Sequence, residues 1–184
     1  MPRPSSDNPL VSICTTFFNA ERYIHRLLES CLNQTYRNIE LVIVDDASTD
    51  GSEKVIRGYM AHDTRIRYVK NGERVGVADS ELAMFSLARG KYSMMLGADD
   101  WLARDYIERG VIAFRGHPDA AGIIPDLITL FERNDDGLFV YESTVRFPAG
   151  IRSADWFVSR LYRKQHFYIS ALALVRSKDL VSAL

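Results

Sequence analysis

Polar and aromatic residues follow three apolar runs that have the composition of buried strands. Unbroken apolar runs of this kind are typical of strands that are covered on both faces of a parallel sheet. Because the carboxyl ends of parallel strands meet along one edge, we expect the three groups to converge in one crevice. The groups are Thr16, Phe18 and Asn19, then Asp45 and Asp46, and finally Asp99 and Asp100.

The residue types in this crevice suit a nucleotide that carries a diphosphate. An aromatic ring and hydroxyls beside one carboxylate can hold a base that has a ring N–H to donate. A second acidic pair suits Mg²⁺ or Mn²⁺, which takes oxygen ligands and usually keeps substrate phosphates and waters. The sequence has no glycine-rich phosphate loop and no P-loop Lys-Ser/Thr pair, so a metal would have to neutralise the diphosphate. The competing interpretation makes Asp45 and Asp46 turn residues and Phe18 a core side chain.

Strands and helices alternate over the first two thirds of the chain. This order predicts an α/β fold of βαβ units, with a mostly parallel central sheet flanked by helices. We expect Asn19 to cap the first helix, Asp50 and Glu53 to form a capping box on the second, and Gly90 to end the third. The predicted strands are 11–17, 39–44, 66–70, 92–96 and 121–125, and the predicted helices are 24–32, 52–62, 77–88 and 102–115.

The last third of the chain has a different pattern. Apolar runs at 127–132 and 138–142 flank Asn134-Asp135-Asp136-Gly137, which predicts a hairpin that adds a mixed β edge. A helix at 153–163, a strand at 167–175 and a helix start at 178 complete the prediction. We expect residues 1–9 to be a disordered lead-in and residues 10–184 to be a single domain.

Composition excludes several classes of protein. The formal net charge of −1 over 184 residues argues against a nucleic-acid partner. No run approaches the roughly 20 apolar residues that span a bilayer, and no signal peptide precedes the first strand. Cys14 and Cys31 fall on apolar positions and suit a reducing cytosol as small core residues. The four histidines have no metal-ligand spacing.

Four segments, taken in order, resemble family 2 glycosyltransferases of the GT-A fold. They are 11–19, 28–36, 39–52, and 90–92 with 96–102. The resemblance covers Leu10 to about Arg115 and weakens from Ala121 onward. It implies a cytoplasmic enzyme that moves a sugar, with inversion, from a nucleotide-diphosphate donor (usually a UDP-sugar) to a glycan or lipid-linked acceptor. It also implies peripheral membrane contact through regions outside this chain.

The resemblance assigns a role to each group. Thr16 and Phe18 correspond to the residues that hold the nucleobase, and Asn19 lies beside them. Asp45 corresponds to the carboxylate that accepts from the base N3–H, and Asp46 to a residue that supports the backbone or the ribose. Asp99 and Asp100 correspond to the end of the Asp-X-Asp motif that binds Mn²⁺ or Mg²⁺, and Asp99 also meets the nucleotide. Asp100 could instead cap the helix that follows.

The sequence departs from the family pattern at two places. Gly97 replaces the first Asp of the Asp-X-Asp motif, and Glu81 stands where the family has an Arg that approaches the phosphates. Arg74 or Lys70 could substitute for that Arg, and Asp79 could face the crevice or cap a helix. These departures keep open a degenerate, non-catalytic nucleotide-binding domain. A nucleotidyltransferase ranks last, because 15–20 contains no glycine-rich loop with Arg and Lys.

The catalytic base is not identified by the sequence. In the family, that Asp follows the strand predicted at 167–175 by a few dozen residues, beyond Leu184. Asp155 and Asp179 lack a supporting motif. We therefore expect the chain to be the amino-terminal part of a longer protein. The basic cluster of Arg160, Arg163, Lys164 and His166 is interpreted as a solvated helix face.

Overall fold

A computed structural model describes residues 8–120, 122–123, 127–129, 143–145 and 174–177. The chain divides into two compact units. The first comprises Met1–Ile123 and Leu174–Leu184, and the second comprises Ile124–Ala173. The candidate site lies entirely within the first unit. The prediction of a single domain over 10–184 stays a prediction.

A six-stranded sheet forms the body of the first unit, with strand order β3-β2-β1-β4-β8-β5. The first four of these strands are mutually parallel, and β8 runs antiparallel to both of its neighbours. The predicted α/β class with a mostly parallel, helix-flanked sheet and a mixed edge is confirmed. Its strands are β1 (Val11–Phe17), β2 (Ile39–Asp45), β3 (Ile66–Lys70), β4 (Tyr92–Met95), β5 (Gly122–Ile123) and β8 (Leu174–Arg176).

Four helices accompany the sheet: α1 (Ile24–Leu32), α2 (Ser52–Met60), α3 (Val77–Leu87) and α4 (Tyr106–Gly116). Every residue of β2 is buried, which explains its run of β-branched and apolar residues. Met84 of α3 packs against Cys14, Val42 and Val44 of the two central strands. The core therefore surrounds the strands whose carboxyl ends form the candidate site.

The helix caps differ from the predictions, although α1, α2 and α3 begin at the predicted residues 24, 52 and 77. Asn19 does not cap α1, which begins only at Ile24 after Tyr23; its backbone is instead left-handed, with φ 55°. The Asp50 carboxylate accepts from the Ser52 N–H, but Glu53 pairs with Arg57 and Lys70 instead of completing a capping box. The predicted caps therefore do not form, because Asn19 bonds Thr49, and Glu53 bonds Arg57 and Lys70.

Gly90 does not end α3, which stops at Leu87. A Cβ at Gly90 would lie 2.6 Å from the Ser12 backbone nitrogen and 2.7 Å from the Ser12 Oγ, so glycine allows the turn before β4 to approach β1. The buried Ser12 Oγ accepts from the Gly90 N–H at 2.8 Å and donates to Glu40 at 2.6 Å. Glu40 also accepts from the Arg89 N–H at 2.6 Å. This network anchors β4 at its amino-terminal end.

The antiparallel edge has a different origin from the one predicted. The strands β6 (Leu127–Thr129) and β7 (Ser143–Val145) pair with each other in a separate two-stranded sheet, and β8 and β5 supply the mixed edge. The second hairpin strand, predicted at 138–142, lies outside the described residues. The helices predicted at 153–163 and from 178, and the start of the strand predicted at 167–175, lie outside the described residues. So do residues 1–7 of the predicted lead-in, whereas Pro9 is buried and accepts from the Tyr36 hydroxyl.

Candidate functional site

The three predicted groups meet at the carboxyl edge of the sheet. Phe17 lies opposite Asp45 in the β1–β2 register, and the Asp46 N–H donates to the Phe17 carbonyl at 2.8 Å. On the other side of β1, the Leu96 N–H donates to the Cys14 carbonyl at 2.8 Å. The parallel arrangement therefore places the residues that follow β1, β2 and β4 along the same edge of the sheet.

Asp45 is fully buried and held on both of its carboxylate oxygens. Oδ1 accepts from the Ser48 N–H at 2.7 Å, and Oδ2 accepts from the Tyr68 hydroxyl at 2.7 Å. Burial, this hydrogen bond and the negative charge of Asp45 raise the pKa of Tyr68 well above its ordinary value. The Tyr68 phenol therefore stays protonated and continues to donate. Asp45 is thus a fixed acceptor, which a turn residue exposed to water would not be.

Asp46 organises the loop between β3 and α3. Its Oδ1 accepts from the Val75 N–H at 2.8 Å and from Asn71 Nδ2 at 3.0 Å, while Oδ2 accepts from the Gly76 N–H at 3.0 Å. Burial raises the pKa of Asp46, but these hydrogen bonds outweigh it and leave that pKa below its usual value. Asp46 therefore shapes the backbone of this loop as an ionised carboxylate.

Phe18 is not a core side chain. Its ring is 37% exposed, whereas neighbouring Phe17 is 8% exposed and belongs to the core. The Arg74 guanidinium carbon lies 4.0 Å from the Phe18 ring centroid, and Arg74 Nε lies 3.9 Å from Asp46 Oδ2. Of the two predicted substitutes for the family Arg, Arg74 borders the crevice, whereas Lys70 pairs with Glu53 at 2.9 Å.

Asn19 joins the loops that follow β1 and β2. Its N–H donates to Ser48 Oγ at 2.8 Å, and its side-chain oxygen accepts from the Thr49 N–H at 2.9 Å. Thr16 is half-buried one residue before the end of β1. Asn19 therefore lies in the predicted place but bridges two backbone segments, which accounts for its left-handed conformation.

The acidic pair after β4 lies in a tight turn closed by the Asp100 N–H, which donates to the Gly97 carbonyl at 3.0 Å. A Cβ at Gly97 would lie 2.7 Å from Asp100 Oδ2 and 3.0 Å from Asp99 Oδ1, so both carboxylates occupy space beside this glycine. Burial and the negative charge of Asp99 raise the pKa of Asp100. Asp100 does not cap α4, since that helix begins six residues later, at Tyr106, with Asp105 in the N-cap position.

The pair fits a divalent cation, although no group of three or more His, Cys, Asp or Glu side chains among the described residues is arranged to hold one. Mg²⁺ is commonly held by one or two carboxylates, with phosphates and waters completing the shell. Asp99 is exposed and can reach a ligand, and a cation would relieve its repulsion with Asp100.

Glu81 lies in α3 and is half-buried. The residue before it, Ser80, is buried and its Oγ accepts from Asn71 Nδ2 at 3.1 Å. Asp79 is exposed in the first turn of α3, whose N-cap is Gly76, so Asp79 is not the cap. Glu81 therefore keeps its negative charge within α3, and the positive charge comes from Arg74 in the loop before this helix.

Gln34 positions the acidic turn and was not predicted to have a role. This buried side chain donates to the Ala103 carbonyl at 2.7 Å and to the Ser30 carbonyl at 3.0 Å, and it accepts from the Ile107 N–H at 3.1 Å. The Thr35 N–H donates to the Arg104 carbonyl at 2.9 Å. These bonds connect the end of α1 to the segment that follows Asp100, and they explain why α4 starts later than the predicted residue 102.

Tyr68 is the second functional candidate that the sequence did not single out. It lies opposite Ile43 in the β2–β3 register, so it shares a face with Asp45 two residues further along. The apolar pattern of 66–70 predicts a strand but does not fix its alignment to β2. The contact between Tyr68 and Asp45 depends on that alignment, so the sequence does not reveal it.

A family model described as glycosyl transferase family 2 matches residues 12–176. The chain belongs to this family. Its similarity to solved structures extends to Staphylococcus aureus TarS 1-349, with a TM-score of 0.72 and 19% identity over 95% of this chain and 48% of that one. These relatives have the GT-A fold, so the predicted GT-A fold is confirmed.

Three further relatives show how much of the chain the family similarity covers. A mannosyltransferase from Pyrobaculum calidifontis, solved with GDP-Man and Mn²⁺, matches with a TM-score of 0.57 and 27% identity, covering 66% of this chain and 36% of that one. An uncharacterised glycosyltransferase from Haemophilus influenzae is 38% identical over 101 residues, which is 55% of this chain and 40% of the relative. A chondroitin synthase from Escherichia coli is 36% identical over 107 residues, 58% of this chain and 16% of that protein. The chain thus spans less than half the length of these curated relatives. No helix in the described ranges is long and apolar enough to cross a bilayer.

Proposed function

We propose that this chain is the nucleotide-sugar-binding part of a glycosyltransferase that uses a nucleotide-diphosphate donor, most simply a UDP-sugar. The observation that carries the proposal is the convergence of a buried, fixed acceptor (Asp45) with an exposed ring (Phe18) at one sheet edge. A base can stack on the ring and donate its N–H to the carboxylate. Family relatives with the same fold bind UDP, UDP-GlcNAc or GDP-Man.

The diphosphate would be held by a cation and by Arg74. Asp99 and Asp100 would hold Mn²⁺ or Mg²⁺, which when bound supplies electrostatic stabilisation of the leaving diphosphate. Arg74 lies next to Phe18 and adds the positive charge that Glu81 does not provide. The acceptor would be a glycan or a lipid-linked sugar, and the transfer would be a displacement with inversion. Asp155 and Asp179, the sequence candidates for the catalytic base, lie outside the described residues, as does the basic cluster at 160–166. We place the reaction in the cytoplasm. If the acceptor is lipid-linked, the reaction takes place at the cytoplasmic face of the membrane.

Calorimetry with UDP, with and without Mn²⁺, tests the proposal. Asp45→Ala is expected to weaken UDP binding about 10- to 100-fold in both conditions, because a hydrogen bond to a charged group contributes about 1.5–3 kcal/mol. Asp99→Ala is expected to remove only the gain that Mn²⁺ brings. Exposed Asp119, which follows α4, provides the matched control Asp119→Ala with unchanged binding. Thermal unfolding of each variant verifies that it is folded.

Equal effects of Asp45→Ala and Asp99→Ala in each condition would show that their roles are misassigned. Failure of the unaltered protein to bind any nucleotide with Mn²⁺ would overturn the proposal. The second candidate, a non-catalytic nucleotide-binding domain, is favoured by Glu81 and by Gly97 in place of a carboxylate. It predicts that Mn²⁺ brings no gain in UDP affinity and that UDP-sugars are not turned over.

A further inference from the structure

A basic cavity lies at the amino-terminal edge of the main sheet, at the opposite end of β4 from the acidic pair. Its volume is about 220 Å³, and it lies among the start of β4, the end of β8, helix α4 and Pro9, two residues before β1. Three of its lining side chains are cations: Lys91, Arg115 and Arg176. Among the described residues that line it, none carries a negative charge.

This concentration of charge is unusual for the chain, whose formal net charge is −1. Cations that share a concave, low-dielectric wall raise the local concentration of anions. Arginine presents a planar set of N–H donors that matches the oxygens of a phosphate, and lysine contributes a point charge. The cavity therefore has the charge and donor types of an anion site.

The floor of the cavity is aromatic and rigid. Tyr92 and Phe114 are both buried, and their rings stack with centroids 4.2 Å apart and planes 5° from parallel. Lys91 Nζ lies 5.5 Å from the Tyr92 ring centroid, and the Arg176 guanidinium carbon lies 5.9 Å from the Phe114 ring centroid. Both distances are within the range of cation–π attraction, which holds the two cations over the floor.

The backbone that carries these cations is also fixed. The Lys91 N–H donates to the Leu10 carbonyl at 2.9 Å, and the Ser177 N–H donates to the Lys91 carbonyl at 3.1 Å. Ser177 Oγ lies 2.8 Å from Ser93 Oγ. Tyr92, the residue after Lys91, pairs with Arg176 in the β4–β8 register, so the backbone at both cations is fixed at this end of β4. A fixed backbone reduces the entropy that these residues lose when they bind an anion.

We propose that this cavity is a second ligand site that binds a phosphate group. Its volume is below the roughly 300–1,000 Å³ typical of sites for whole drug-sized molecules, so it accommodates one phosphate and its nearest atoms. The source of that phosphate is a soluble phosphorylated compound or the head group of an anionic lipid. The site is independent of the proposed nucleotide site, which lies at the other edge of the sheet and uses carboxylates.

An NMR titration of the protein with inorganic phosphate tests the proposal. EDTA is present throughout, so that a cation held by Asp99 cannot recruit phosphate. We expect saturable shifts centred on Tyr92 and Phe114. In the double variant Lys91→Gln/Arg176→Gln we expect the affinity for phosphate to fall by about tenfold or more, because two charge-assisted contacts are lost. The control Lys54→Gln/Arg57→Gln removes the same charge from α2 and is expected to change the affinity less than about twofold.

Vesicles distinguish the two sources. Binding to phosphatidylcholine vesicles that contain phosphatidic acid, lost in Lys91→Gln/Arg176→Gln and reversed by phosphate, assigns the site to a lipid head group. Saturable phosphate binding without vesicle binding assigns it to a soluble compound. The proposal is overturned if the unaltered protein shows no saturable shifts near Tyr92, or if the two double variants weaken binding equally. Both variants change side chains at the surface, and their thermal unfolding is compared with that of the unaltered protein.

Discussion

At the scale of single residues, the Tyr68 hydroxyl determines how Asp45 can meet a ligand. This hydroxyl, on β3, donates to Asp45 Oδ2, while the Ser48 N–H, in the loop after β2, donates to Asp45 Oδ1. Each carboxylate oxygen can accept more than one hydrogen bond, so Asp45 keeps acceptor capacity for a base N–H. The tyrosine thus acts as a positioning residue that fixes the direction of this capacity.

Replacing Tyr68 with Phe should weaken UDP binding about three- to tenfold, because a typical intramolecular hydrogen bond contributes about 0.5–1.5 kcal/mol and this one acts on the ligand only by orienting the carboxylate. Calorimetry with UDP measures the change. Tyr59→Phe is the matched control, since the Tyr59 hydroxyl contacts His25 and Glu29 between α1 and α2. If the two variants bind UDP equally, Tyr68 has no positioning role.

The same tyrosine predicts a pH dependence of stability. Burial, the hydrogen bond to Asp45 and the charge of Asp45 raise the Tyr68 pKa above its ordinary value of 10.0. In the unfolded chain the phenol ionises near that ordinary value, whereas in the folded state it stays protonated. The stabilisation that the protonated Tyr68 provides is therefore complete at pH values below the ordinary tyrosine pKa, and it is lost as the pH rises above that pKa. Urea unfolding from about pH 9 to pH 11 should show a steeper loss for the unaltered protein than for Tyr68→Phe. Parallel curves would contradict this assignment.

At the scale of secondary-structure elements, Gln34 connects the carboxyl end of α1 to the turn that carries the acidic pair. Its amide nitrogen donates to the Ser30 and Ala103 carbonyls, and its amide oxygen accepts from the Ile107 N–H. The segment 102–105 is consequently held in a non-helical path, and Asp99 and Asp100 are presented before α4 begins. Under the proposed function, such a support would influence a bound cation without touching it.

Gln34→Ala should lower the free energy of unfolding by about 2–4 kcal/mol, since it leaves the buried Ile107 N–H and the Ala103 carbonyl without their partner. It should also reduce the gain in UDP affinity that Mn²⁺ brings, while UDP binding without metal changes little. Chemical denaturation and calorimetry measure the two effects. Asn33→Ala, at an exposed neighbouring position, is the control. A loss of stability with an unchanged Mn²⁺ gain would limit Gln34 to a structural role.

The elements of the parallel sheet were predictable because their signals are local. The buried runs of β1, β2 and β4 identify themselves by apolar composition, and the rule that parallel strands share a carboxyl edge then brings Phe18, Asp45 and Asp99 together. The start of α4 was not predictable, since it depends on carbonyls captured by Gln34 and Thr35 from far along the chain. The pairing of Tyr68 with Asp45 was missed for the same reason: it depends on strand register.

At the scale of the whole molecule, the two cysteines report on global unfolding. Cys14 is buried in β1 and Cys31 in α1, and both are free thiols. Burial raises the pKa of each thiol to about 12, so neither forms a thiolate at neutral pH in the folded state. Both sites are also closed to reagents, which confirms the prediction that they are core residues.

A thiol reagent at pH 8 should therefore react with neither cysteine in the folded protein and with both in guanidinium chloride. The sequence contains two cysteines, so complete unfolding should release two equivalents. Absorbance of the released aromatic thiolate measures the reaction, and its rate at low denaturant should follow the rate of opening. Rapid modification of one cysteine without denaturant would show that part of the core opens separately.

The position of β8 has a consequence for the order in which the protein is made. This strand lies between β4 and β5 in the sheet, although about fifty residues separate it from β5 along the chain. On the ribosome, β3, β2, β1 and β4 can pair early, but β4 keeps an open hydrogen-bonding edge until Leu174–Arg176 emerges. A nascent chain that stalls within 124–173 therefore exposes a β edge capable of pairing with other chains. Completion of β8 is the step of synthesis that closes it.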